Sequence, residues 1–94
     1  MIFDMRSPDF GAPRRELYAA ALDCAAWGDD IGFDVIGLGE HHLAEDGYNP
    51  SPLVLASAMA GRTRRIRLRT AVLLASCYDP VRLAEDLAVA QLVS

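Results

Sequence analysis

Apolar residues fall into short blocks along the chain, separated by polar stretches that carry Pro and Gly. Met1 to Met5 is an apolar run fit for a first strand. Arg6 to Ala12, with Pro8 and Gly11, reads as a loop. Pro13 suits the first turn of a helix, where its missing N–H costs nothing. From there to Ile31, the positions Leu17, Tyr18, Ala21, Leu22 and Ala25 recur at helical spacing, and Gly32 suits a left-handed C-terminal cap. Val35 to Gly39 lacks polar alternation, as expected of a strand covered on both faces. Its parity places Ile36 and Leu38 on one face, for packing on helices. Val35, Gly37, Gly39 and, if the extended backbone persists, His41 share the other.

Leu43 to Pro50 reads as a polar loop. Ser51-Pro52, a cap followed by proline, opens a second helix through Leu55, Ala56, Met59 and Ala60 to about Arg62. Ile66 to Leu74 is a third strand and Ala75 to Tyr78 a loop. Asp79-Pro80 opens a third helix through Leu83, Leu87 and Ala90. Strand then helix, three times over, predicts an α/β fold of parallel strands joined by right-handed crossovers. The loops after strands two and three lie at the carboxyl mouth, where such folds collect ligands. Both end in helix N-termini, whose free N–H groups suit phosphate.

Composition narrows the class. Ninety-four residues make one small domain, and 52% apolar residues suffice for a core. No apolar stretch approaches the roughly 20 residues of a membrane span. The start, Met1-Ile2-Phe3-Asp4-Met5-Arg6, lacks the basic end and apolar region of a signal peptide, so a cytoplasmic protein without membrane partners is expected. The net charge of −4 argues against nucleic acid. Arg62, Arg64, Arg65, Arg67 and Arg69 form a local exception that reads as a solvated helix-to-strand turn. No aromatics interleave with them to stack on bases. Cys24 and Cys77 fit no metal spacing and are expected as free thiols.

The chain's two histidines stand side by side in Glu40-His41-His42, at the end of the second strand. Histidine exchanges its proton near neutral pH. A metal site would want further ligands, and no H-x-x-x-H or C-x-x-C spacing supplies them. A structural role, with imidazoles hydrogen-bonding loop backbone, and a catalytic role both fit the residues. Neighbouring strand residues point oppositely, which favours His41 for the pocket. Glu40 is then expected to face the helix layer, pairing with an Arg or capping a helix, with Glu40 and His42 as supports.

Several stretches together resemble the luciferase-like flavin-dependent monooxygenase family. They are Gly32-Phe33-Asp34, Gly39-Glu40-His41-His42, Asn49-Pro50-Ser51-Pro52, Arg62-Thr63 with Ile66-Arg67-Leu68, Thr70-Ala71-Val72, and Asp79-Pro80-Val81-Arg82 with Ala84-Glu85-Asp86. The resemblance covers nearly the whole chain in order and spacing. It implies three consecutive βα units of a TIM (β/α)8 barrel, an incomplete barrel in which residues 1–94 are the N-terminal part of a single domain. It implies reduced FMN, or a deazaflavin coenzyme in sister branches, with a small organic substrate and oxygen, and a homo-oligomer. The histidine matching His41 is the family's catalytic one beside the flavin. Thr70, Ala71 and Val72 match the bed on which the flavin ring rests, where the family often has a cis non-proline peptide.

The chain departs from the family's pattern in four places. Arg69 stands where the family usually has Gly, and Asp79 where it commonly has His. The third helix ends in Ala90-Gln91-Leu92-Val93-Ser94 rather than Leu-Asp-x-Leu-Ser. The chain also holds three units where a whole barrel takes about 250 residues. The resemblance therefore leaves two alternatives open: deazaflavin-dependent hydride transfer, and a non-catalytic fragment that acts by association.

Overall fold

The computed structural model describes residues 1–94. Its elements are β1 (Ile2–Phe3), α1 (Arg14–Asp30), β2 (Val35–Leu38), α2 (Pro52–Ala60), β3 (Arg67–Thr70) and α3 (Pro80–Val93), with a 3-10 turn at Ala75–Cys77. The sheet is parallel throughout, in the order β1-β2-β3. This is the α/β arrangement of three βα units expected from the sequence, in an unclosed sheet.

One face of the sheet holds the core. Ile36 and Leu38 of β2 are fully buried against Ala21 and Ala25 of α1 and Leu55 and Met59 of α2, with Met5 and Ile66 closing the ends. Burying each such large aliphatic side chain is worth about 1.5–3 kcal/mol, so β2 anchors the whole unit. The other face is open rather than covered. Ladder register puts Ile2, Gly37 and Arg69 in one row on it, and Phe3, Leu38 and Thr70 in a row on the helix side. β2 lacks polar alternation because Val35 and Gly37, the residues it turns to that face, are half-buried and buried.

Helix α1 ends as its sequence suggests. Gly32 takes a φ of 89°, Phe33 N–H donates to the Gly28 carbonyl and Gly32 N–H to that of Asp29, a Schellman cap. Strands one and three are shorter than expected. β3 stops at Thr70 rather than Leu74 because its partner runs out: Ala71 N–H takes the last carbonyl of β2, Leu38. Ser51 precedes α2 but its hydroxyl caps nothing; its own N–H is instead held by the Asn49 side chain. Cys24 and Cys77 are both exposed free thiols, as expected. No helix is long and apolar enough to cross a membrane.

The arginine-rich turn is built on a residue the sequence did not single out. Asp29, buried at the end of α1, accepts from the backbone N–H groups of Arg64, Arg65 and Ile66 at 2.8, 3.0 and 2.7 Å. Arg65 also reaches the Asp29 carbonyl, and Arg62 pairs with Asp23. Burial alone would raise the Asp29 pKa, but the three N–H donors outweigh it and hold the carboxyl below its ordinary value. A depressed native pKa stabilises the fold above the ordinary Asp value of about 3.9, and the contribution disappears as pH falls through the native pKa. Asp29→Asn is therefore expected to lower the urea midpoint at neutral pH, and the gap to wild type should close on acidification. Parallel midpoints at all pH values would contradict this.

Candidate active site

At the carboxyl end of β2 the chain places a carboxylate out of water. Glu40 is 2% exposed. It does not face an Arg or cap one of the main helices, as the sequence suggested. One carboxylate oxygen accepts from His42 Nε2 at 2.7 Å and the Tyr78 hydroxyl at 3.0 Å, and the other from Leu74 N–H at 2.7 Å. The reason is that the chain turns after Leu38, which aims Glu40 along the mouth at the loop after β3. Burial would raise its pKa, but the Leu74, His42 and Tyr78 hydrogen bonds outweigh it, and the pKa is lowered. The same contact, together with burial as the larger cause, pushes Tyr78 up to about 12. An ionised Glu40 only accepts, so His42 carries its proton on Nε2.

His41 and His42 point apart, although β2 ends at Leu38 and strand parity does not extend to them. His42 turns to Glu40, while His41 lines an open cleft of about 500 Å³ with Ile2, Phe3, Asp4, Arg6 and Tyr48. Its backbone N–H donates to the Asn49 carbonyl at 3.0 Å. Asn49 is itself fully buried, donating to the Gly39 carbonyl and accepting from Ser51 N–H. The imidazole stands edge-on to the Tyr48 ring, with centroids 4.5 Å apart at 90°. Across the cleft Arg6 clasps Asp4, and its hydrogen bonds hold that carboxyl down to about 2.

The residues matched to a flavin bed divide between the two faces. Ala71 lies on the open side: a side chain at Gly37 would meet its Cβ at 3.9 Å and Ile2 at 3.3 Å. Val72 is exposed, and the Ala71–Val72 peptide is cis. The Thr70 side chain lies on the other side, in the groove between α2 and α3 with Leu53, Leu68 and Leu87. Arg69 shares the open row with Gly37. Of the helix N-termini, that of α3 is closed to anions, because Asp79 already accepts from Val81 and Arg82 N–H. Sequence reading passed over Tyr48, Asn49 and Tyr78 as site residues. A Tyr and an Asn inside a short polar loop after the histidines were the available signal for the first two.

Comparison with known proteins follows the same lines. The model of the luciferase-like monooxygenase family matches residues 2–94. A Sinorhizobium fredii protein, y4wF, is 40% identical over 86 residues, 92% of this chain and 25% of that protein. The 4-hydroxyprotoasukamycin monooxygenase of Streptomyces nodosus subsp. asukaensis is 40% identical over 63 residues, 67% of this chain and 17% of its own length. Among solved structures, monooxygenase RslO1 of Streptomyces bottropensis superposes with a TM-score of 0.88 at 32% identity, covering 98% of this chain and 28% of that one. The oxygenating constituent of 3,6-diketocamphane monooxygenase from Pseudomonas putida, in complex with FMN, has a TM-score of 0.86 at 22% identity, which speaks to fold; it covers 99% of this chain and 25% of that one. The chain thus spans a quarter or less of the length of these two curated relatives.

The Glu40 contacts yield a direct expectation. Glu40→Gln should speed hydrogen exchange at the Leu74 amide by about tenfold, the equivalent of one charge-assisted hydrogen bond of about 1.5 kcal/mol. A depressed native pKa means this protection is present above the ordinary Glu value of about 4.3 and fades as pH falls through the native one. Unchanged exchange at Leu74 would show that the carboxylate does not hold the loop.

Proposed function

This chain belongs to the luciferase-like monooxygenase family, and on that premise we propose that it forms the histidine-bearing wall of a monooxygenase using reduced FMN and oxygen on a small organic substrate. The observation that carries the reading is the position of His41. It is exposed, just beyond the carboxyl end of the central strand, in a cleft it lines together with Ile2 and Phe3 of β1. The bound FMN of the Pseudomonas putida relative supports the choice of cofactor. The proposal includes a homo-oligomeric, cytoplasmic enzyme, as read from the sequence.

The residues present suit such a group. A planar, largely apolar ring needs a flat surface free of projecting side chains. A side chain at Gly37 would crowd Ile2 at 3.3 Å, so the glycine lets Ile2 lie close against the sheet beside Ala71, with Val72 exposed at the end of that surface. Ala71, Val72 and Gly37 would hold the ring, and Thr70 contributes its backbone alone, since its side chain is turned away. Arg69, on the row of Gly37, adds positive charge to that face and favours an anionic ligand.

When bound, reduced flavin supplies the two electrons with which one atom of O2 enters the substrate and the other leaves as water. The chain's own contribution is orientation and proton handling. His41 would hold or release a proton in the cleft it lines, since Glu40 is engaged by His42 and the His41 backbone N–H by Asn49, which leaves its imidazole for the ligand. Glu40 keeps His42 and the loop after β3 in place, tying the histidine loop to the segment that follows Ala71 and Val72.

The test supplies reduced FMN, oxygen and candidate substrates to the intact protein and to its His41→Ala variant. A general acid–base group contributes about 100-fold or more, so His41→Ala should lose at least that in turnover. Flavin binding, followed separately by fluorescence, should change little. Equal turnover in the two proteins would overturn the role given to His41.

A further inference from the structure

We propose that Tyr48 is the residue that positions the His41 imidazole, and that position 39 is glycine because the Tyr48 hydroxyl occupies the space of its side chain. The inference rests on the catalytic reading of His41, which Tyr48 serves without being catalytic itself.

Three observations carry it. The two rings meet edge to face at 4.5 Å, a favoured geometry for aromatic pairs and close enough to limit the imidazole on the side that Tyr48 occupies. Both backbones are already fixed: His41 N–H donates to Asn49, Tyr48 N–H to the Asp46 side chain at 3.1 Å, and Asp46 accepts from Ser7 N–H. What remains free in His41 is the side-chain torsion, and Tyr48 is the neighbour that limits it. The third observation is the seat. A Cβ on Gly39 would lie 2.7 Å from the Tyr48 hydroxyl and 3.1 Å from its Cε1, so any side chain there displaces the ring. Gly39, His41 and Tyr48 therefore act as one unit, in which a glycine two residues before the histidine controls how it points. The charged groups around this unit are Asp4, Arg6 and Asp46, which line the same cleft.

The test reads the His41 ring directly by long-range 1H–15N NMR on the intact protein, alongside kcat and KM for the organic substrate. Tyr48→Ala should move the His41 ring resonances, through loss of the aromatic ring current and averaging over rotamers. It should also lower kcat about tenfold, with KM changed much less. Tyr48→Phe, which keeps the ring, should recover most of both effects. Gly39→Ala should reproduce Tyr48→Ala, and the double variant should be no worse than Tyr48→Ala alone. The proposal is overturned if Tyr48→Ala leaves the His41 resonances in place, or if the Gly39 and Tyr48 effects add in full. Should His41→Ala leave turnover intact, the catalytic reading fails, yet the His41 resonances still decide the role of Tyr48.

Discussion

A carboxylate taken out of water must be surrounded by hydrogen-bond donors, and the place where this chain does so is Glu40. The donors come from His42 on one loop and from Leu74 and Tyr78 on the next. The strands here are two to four residues long, so backbone ladders alone cannot fix how the loops beyond them lie. Satisfying one buried charge forces the histidine loop and the loop after β3 into a single arrangement. An unsatisfied charge at that depth would cost far more than any surface contact returns.

The same device recurs at the other polar points of the interior. Asp29 gathers three backbone N–H groups at the start of β3, and Asn49 joins the end of β2 to the loop that follows. Glu40 and Asn49 work at the carboxyl mouth, Asp29 at the opposite end. The division matches the usual assignment in such folds, with chemistry at the carboxyl face and stability beneath it. Between them lies the core around Ile36 and Leu38, with Ile2 packed close over Gly37 on the reverse side.

Much of this was legible from periodicity. The i, i+4 pattern of α1, the two-residue pattern of Ile36 and Leu38, and the Gly32 cap are local properties, and local properties survive folding unless packing opposes them. What the sequence concealed was long-range. The partners of Glu40 in the loop after β3 lie 34 and 38 residues away, and those of Asp29 lie 35 to 37 away. No spacing rule connects such residues, so local pattern points Glu40 to the helix layer and gives Asp29 no signal at all. Thr70 shows a subtler limit. A strand's parity assigns faces only once its register is known, and pairing with Leu38 turns the threonine hydroxyl towards α2 and α3. Tyr48 sits in a loop, where hydrophobic patterning carries no directional information.

Titration of FMN into the isotopically labelled intact protein, followed through its amide and histidine resonances, tests this site directly. The expected perturbations concentrate on one surface: Gly37, Ala71, Val72 and the His41 ring, with the Leu74 amide following through Glu40. The turn at Arg64 and Arg65, held by Asp29 at the far end of the sheet, should remain still. Perturbations centred on that turn or on the α2–α3 groove, with His41 and Ala71 unmoved, would contradict it.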